Sequence, residues 1–217
     1  MSDCCSRFCA SVTRQFDAAV ADGDLKRYRR KGPNPTTRLL RDAVLRAGGG
    51  KSLLDIGAGI GALSFELLGG GFSRSLAVDA APAYVAAARA EAAARGLGDR
   101  LNVLEGDFTR LAEPAEPADV VVMDRVVCCY PEFRPLLERA LRSGGRLFAY
   151  SYPRDRWYVR LVVGLENVAR AALRNPFRAV VHSAEAMEAC ITGEGFARVS
   201  RSGTLAWAVE VYVRGAL

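Results

Sequence analysis

Long apolar runs are missing from this chain of 217 residues. Val120–Met123 is bounded by Asp119 and Asp124, and no stretch approaches the roughly 18–20 apolar residues that cross a bilayer. A membrane-spanning anchor is therefore not expected. Met1-Ser2-Asp3-Cys4-Cys5 lacks the basic start and apolar core of a secretion signal, so a cytoplasmic location is the expectation. Lysine is scarce: Lys26, Lys31 and Lys51 are the only lysines among 30 basic residues. Heavy arginine and alanine usage reads as base composition, so the net charge of +6 is discounted as evidence of nucleic-acid binding. Histidine occurs once, as His182, and Cys4, Cys5 and Cys9 offer three metal ligands with no fourth nearby. No metal site is expected, and disulfides are not expected without a secretion signal. Repeats and low-complexity linkers are also absent.

What remains is ordinary globular composition, 50% hydrophobic and 25% charged, in a length that suits one domain with an appended arm. Residues 1–34 are expected to form a helical arm or lid and residues 35–217 the main domain. Residues 11–48 read as helical, broken at Pro33 and Pro35, with Asn34 before a first-turn proline. Lys26-Arg27-Tyr28-Arg29-Arg30-Lys31 is a local basic cluster, open to reading as a solvated face, an anion clamp or a nucleic-acid patch.

After Gly48-Gly49-Gly50, strands and helices alternate. Strands are expected at Lys51–Ile56, Ser75–Val78, Leu101–Leu104, Asp119–Asp124 and Arg146–Tyr152. Helices are expected up to Leu68, across Ala81–Arg95 and at Pro131–Arg142. This alternation implies a parallel sheet with right-handed crossovers. The C-terminal end differs. Ser183 reads as the N-cap of a helix reaching Gly193. Phe196–Arg201 and Thr204–Arg214 read as two strands joined by Ser202-Gly203, which allows only an antiparallel hairpin. The fold class is thus α/β, a Rossmann-like doubly wound sheet of seven strands, mostly parallel, with one reversed strand placed at an edge. A helix over Trp157–Arg174, within an insertion at 155–178, gathers Tyr158, Leu161, Val162, Leu165, Val168, Ala169 and Ala172 on one face. It reads as a substrate lid or as a core-packed helix with a solvated back, and, being basic and amphipathic, as a membrane-surface helix in a third reading.

The stretch Leu53-Leu54-Asp55-Ile56-Gly57-Ala58-Gly59-Ile60-Gly61-Ala62 joins the first strand to its helix. Such a turn opens at the carboxyl end of the sheet, where open α/β folds bind ligands. Gly57, Gly59 and Ala62, with Asp79 ending the next strand, also satisfy a dinucleotide fingerprint. Asp55 argues against a nicotinamide cofactor. A carboxylate beside the loop repels a pyrophosphate, by about 4 kcal/mol for unit charges at ~4 Å and an effective dielectric of ~20. It attracts a sulfonium and an α-ammonium.

On these elements the chain resembles the class I S-adenosylmethionine-dependent methyltransferases. LLDIGAGIG, the acid in LAVDA, GDF at Gly106–Phe108 and ADVVVMDRV ending at Val126 carry the resemblance, with the terminal hairpin. It implies that Asp55, Gly57, Ala58, Gly59 and Gly61 hold the methionine part of S-adenosylmethionine, and that Asp79, with Ala80, holds the ribose. Asp107 and Phe108 would flank the adenine, and Asp124 and Arg125 would stand near the methionine moiety or the methyl group. A cap role for Asp107 and a surface turn at Asp124 are the competing readings. The pieces Cys129-Tyr130-Pro131, Ser151–Pro153 and His182-Ser183 resemble magnesium-protoporphyrin methyltransferases. Those carry a histidine before the Tyr-Pro pair, where Cys129 stands here.

Substrate-side groups are expected from the turn Arg125–Pro131, from Tyr150, Tyr152, Pro153 and Arg154, and from Tyr28 and Arg29 in the basic segment. Tyr28, Cys129, Tyr130 and His182 are the catalytic candidates. Cys128 and Cys129 also read as buried small hydrophobes. The leading expectation is methyl transfer to a small molecule. A cofactor-binding regulator or partner subunit and a tetrapyrrole carboxyl O-methyltransferase are the alternatives. A nucleic-acid substrate is disfavoured, because Asp124-Arg125-Val126-Val127 replaces the Pro-Pro-aromatic grip suited to a flipped base.

Overall fold

In the computed structural model, the structure describes residues 7–48, 50–112 and 117–215. Cys4, Cys5 and Gly49 lie outside them. The N-terminal helical stretch is three helices: α1 Arg7–Gln15, α2 Ala18–Lys31 and α3 Pro35–Arg46. Asp17 caps α2 through Val20 N and Asn34 caps α3 through Thr37 N, each side chain satisfying an otherwise orphaned amide.

The sheet follows: β1 Ser52–Ile56, β2 Arg74–Asp79, β3 Leu101–Glu105, β4 Ala118–Asp124, β5 Gly144–Pro153, β6 Phe196–Gly203 and β7 Trp207–Arg214. Helices α4 Ala62–Gly69, α5 Pro82–Ala94, α6 Phe133–Arg142, α7 Trp157–Ala172 and α8 Ala184–Gly193 connect them. The strand order is β3-β2-β1-β4-β5-β7-β6. Order reverses between β1 and β4, so the loops after these strands part and leave a crevice at their carboxyl ends. Ser183 caps α8 as expected.

Two details differ from the sequence reading. The reversed strand is not at the edge: β7 lies between β5 and β6, antiparallel to both. The hairpin turn is Thr204-Leu205-Ala206 rather than Ser202-Gly203, and β6 continues through Gly203. Thr204 decides the turn, its amide donating to the Trp207 carbonyl and its hydroxyl accepting from the Trp207 amide.

Apolar side chains cover both sheet faces. One core joins Leu53, Val120, Val122 and Leu147 to α3, α4 and α5. The other joins Leu54, Val121, Met123 and Phe148 to α6 and α8. Within the second, Glu210 is buried and accepts from the hydroxyls of Tyr152 at 2.9 Å and Tyr212 at 2.7 Å, while Arg201 pairs with it at 3.1 Å. This places Tyr150 and Tyr152 in a structural network. Both were expected near the substrate, and neither lines the main cavity.

Candidate active site

A cavity of about 580 Å³ opens at the crevice, within the roughly 300–1,000 Å³ usual for small-molecule sites. Its floor is the glycine loop. Gly57, Gly59 and Gly61 all have positive φ, and the loop is drawn onto β2 by Gly57 N and Ala58 N donating to the Val78 carbonyl. A Cβ on Gly57 would sit 2.4 Å from Val126 Cγ2, so this position has room for glycine alone.

Three carboxylates converge on this floor. Asp55 is buried and accepts from Ser64 Oγ at 2.7 Å. Asp79 clamps the loop, accepting from Gly59 N at 2.7 Å and Ala81 N at 2.8 Å. Asp124 accepts from the Thr37 hydroxyl and from Ser151 Oγ. Neither Asp55 nor Asp79 has a cationic partner among the described residues, and Arg125 approaches Asp124 only to 3.9 Å. Burial, with Asp124 and Asp79 adding repulsion, pushes Asp55 from 3.8 to about 7. Burial likewise pushes Asp79 to about 6, against the amides of Ala81 and Gly59. Buried carboxyls this reluctant to ionise suit a ligand that brings positive charge.

Both acids bind protons more tightly in the folded chain than in an unfolded one. Their stabilising contribution is full below the ordinary value of 3.8 and is lost as the pH rises through about 6 to about 7. The ligand-free protein is therefore expected to lose about 10 °C of thermal midpoint between roughly pH 5 and pH 8. Asp55→Asn should flatten that slope; an unchanged slope in a melting series would reject the assignment.

Helices make the roof. Phe8 and Val12 of α1, Phe16 just after it and Val20 of α2 line the cavity from one side, and Tyr158, Val159, Val162 and Val163 of α7 from another. The roof is tied down at several points. Asp24 accepts from the Tyr84 hydroxyl at 2.7 Å. Phe16 meets Tyr84 and Phe177, each at 5.4 Å between centroids. Phe8 lies 4.3 Å from Tyr130. Asn175 Nδ2 donates to Gln15 Oε1.

The expected residues divide between this cavity and other places. Asp55, Gly57, Ala58, Gly59, Asp79, Ala80, Phe108, Asp124, Arg125, Cys129 and Tyr130 line it. Gly61 stands just behind, at the N-cap of α4. Asp107 is not among the lining residues: its Oδ1 accepts from the amide and hydroxyl of Thr109 and from the Tyr130 hydroxyl. These bonds close a turn after β3, where no helix begins. Asp107 positions Tyr130, whose hydroxyl is held protonated well above its usual range, chiefly by burial.

Tyr28 lies outside the cavity. It is buried under α4 and α5, donating to Glu66 at 2.9 Å with Arg95 over its ring. The basic cluster around it is largely paired, Lys26 with Asp22 and Arg29 with Glu91. His182 also lies outside the cavity. Its Nε2 sits between the carbonyls of Val127 and Tyr130, and its ring meets Phe133 edge-on. It fastens the turn that carries Cys128, Cys129 and Tyr130. Both thiols point at the Arg125 carbonyl, at 3.5 Å and 3.9 Å, and the neighbouring Cys128 thiol together with burial holds Cys129 well above the usual thiol range.

The stripe Phe8, Val12 and Phe16 runs along α1 and just past its end, and a helical reading that begins at residue 11 leaves Phe8 out of it. Its spacing of four was the available signal. Among the described residues no group of three or more His, Cys, Asp or Glu is placed to hold a metal, and no helix is long and apolar enough to cross a membrane.

Comparison with known proteins agrees with the geometry. Residues 53–145 match the family profile described as a methyltransferase domain. Ribosomal protein L11 methyltransferase of Yersinia pseudotuberculosis is 32% identical over 118 residues, 54% of this chain and 39% of that protein. Its counterpart from Thiobacillus denitrificans is 40% identical over 120 residues, covering 54% and 38%. The chain thus matches well under half the length of these relatives. Among solved structures, magnesium protoporphyrin IX methyltransferase of Synechocystis with bound S-adenosylhomocysteine aligns with a TM-score of 0.71 at 17% identity, covering 95% of this chain and 99% of that one. An O-methyltransferase family protein of Burkholderia thailandensis aligns at 0.73 and 15% identity, covering 93% and 61%.

Proposed function

For a chain that carries a class I S-adenosylmethionine-dependent methyltransferase domain, we propose methyl transfer to a small, largely apolar molecule. The observation that carries this reading is the division of one cavity into a carboxylate floor and a largely apolar roof, whose charged members are Asp24, Arg27, Glu166 and Arg170. The floor suits the cofactor, with Asp55 and the glycine loop beside its methionine part and Asp79 beside its ribose. When bound, S-adenosylmethionine supplies a sulfonium-activated methyl carbon for in-line displacement.

The chain's own residues then orient, exclude water and hold charge. Arg125, Cys129 and Tyr130 stand where the acceptor would meet the cofactor. Tyr130, held by Asp107, donates its proton poorly and serves to position. The roof of α1 and α7 keeps bulk water from the reacting atoms. An acceptor that arrives ionised needs no general base; for one that arrives protonated, the lining carboxylates Asp124 and Glu166 are the side chains to test.

A tetrapyrrole carboxylate is a second reading, favoured by the likeness in shape to the protoporphyrin enzyme over 95% of the chain. Cys129 in place of a histidine weighs against it. A protein acceptor is the third, after the L11 methyltransferase relatives. The test is a methyl-transfer screen with labelled cofactor over thiols, carboxylates, phenols, magnesium protoporphyrin and ribosomal protein, together with mass analysis of any copurified ligand. Turnover on an apolar small molecule is expected. Turnover on protein alone would reverse the assignment, and cofactor binding without any turnover would favour a regulatory subunit.

A further inference from the structure

Helix α7 turns its apolar side outward. At about 100° per residue, Trp157, Leu161, Leu165 and Val168 fall on one stripe, and they are 76%, 55%, 62% and 68% exposed. Leu205 at the tip of the β6–β7 hairpin is 85% exposed and extends the stripe, since the Tyr158 hydroxyl donates to its carbonyl at 2.9 Å. The opposite side of α7 lines the cavity with Val159, Val163 and Arg170. The helix is thus a wall with apolar side chains on both surfaces. A contiguous patch of this kind marks an interaction surface.

We propose that α7 and the hairpin tip dock on the surface of an anionic lipid bilayer. No acidic residue interrupts the outer stripe. Arg156 and Arg174, at the two ends of α7, are exposed and have no acidic partner among the described residues, and Arg160 stands on the flank beside Asp155. The net charge of +6 adds long-range attraction. Tryptophan and tyrosine at the helix start suit the headgroup level, and the long arginines reach phosphates from an apolar seat. With 16 residues bracketed by arginines, α7 lies in the interface and does not cross it. A lipophilic acceptor would then pass from bilayer to cavity along α7, a consequence that rests on the methyltransferase reading above.

The test is flotation of the full chain with vesicles of phosphatidylcholine alone or mixed with phosphatidylglycerol. Binding to the anionic vesicles is expected, weaker by about tenfold on the neutral ones. Leu161→Glu with Leu165→Glu should lower it at least about tenfold, with the thermal midpoint and S-adenosylhomocysteine affinity unchanged, since neither leucine lines the cavity. Arg156→Gln with Arg174→Gln should weaken binding to the anionic vesicles only. Absence of binding to both vesicle types would overturn the proposal, as would undiminished binding by the double glutamate variant. A dimer in sedimentation that this variant disperses, without vesicle binding, would assign the patch to a second copy instead. Cofactor titration of the same samples separates these outcomes from a failure of the enzymatic reading.

Discussion

Replacing Asp79 with alanine is expected to weaken binding of both S-adenosylmethionine and S-adenosylhomocysteine by about a hundredfold. The carboxylate ends β2 and is 8% exposed. Its two oxygens accept from the Gly59 and Ala81 amides, with the Ala80 amide also bonding the carboxylate, and the residue lines the cavity. Two charge-assisted bonds to ribose hydroxyls contribute about 1.5–3 kcal/mol each, and their loss corresponds to a hundredfold or more. The same change frees the Gly59 amide, so the loop loses its fastening to β2. Both ligands share the ribose and should lose affinity alike. Asp79→Asn keeps one acceptor on the Gly59 side and should fall between. Calorimetric titration of the three proteins checks this, and equal affinities in all of them would remove Asp79 from the site.

Gly57→Ala is expected to destabilise the fold by roughly 2–5 kcal/mol, a large part of the ~5–15 kcal/mol that holds a domain together. Two costs add. The residue has φ +67, a left-handed conformation that costs an alanine about 1–2 kcal/mol. Its new Cβ would lie 2.4 Å and 2.9 Å from the two γ-carbons of Val126, an overpacking cost of about 1–3 kcal/mol. Rotating the Val126 side chain does not clear the contact, because its own β-carbon would lie 3.2 Å from the new atom. Gly57→Ala with Val126→Ala should recover the clash and keep the backbone cost. Gly23→Ala in α2, where an added Cβ meets nothing within 4 Å, should stabilise by about 0.5–1 kcal/mol. Denaturant midpoints for the set test the argument. A Gly57→Ala protein as stable as the parent would refute it.

The floor of the cavity was legible in the sequence down to its residues, whereas the roof was legible only as elements, an N-terminal arm and the helix after β5. Asp55, the glycines and Asp79 are set by local chemistry: a short strand, a turn that needs positive φ, and an acid at the next strand end. These lie within a few dozen residues of one another, so spacing alone places them together. The position of β7 depends on which edge of β5 stays open for pairing, a non-local contact that periodicity does not encode. Helical periodicity grouped Leu161, Leu165 and Val168 correctly on one face of α7. It could not tell that this face meets solvent while Val159 turns inward. Residue type alone puts Tyr28 on the substrate side and leaves His182 open between facing the substrate and stapling the start of the next helix. Their hydrogen bonds to Glu66 and to the carbonyls of the 127–130 turn fix them elsewhere.

The most direct test of the account is calorimetric titration of the purified chain with S-adenosylmethionine, S-adenosylhomocysteine and a nicotinamide dinucleotide across a pH series. A floor of uncompensated buried carboxylates predicts 1:1 binding of the first two and none of the third. It also predicts that S-adenosylmethionine binds more tightly as the pH rises through about 6 to about 7, where Asp79 and Asp55 ionise. Binding of the dinucleotide, or no heat with either sulfur compound, would contradict it.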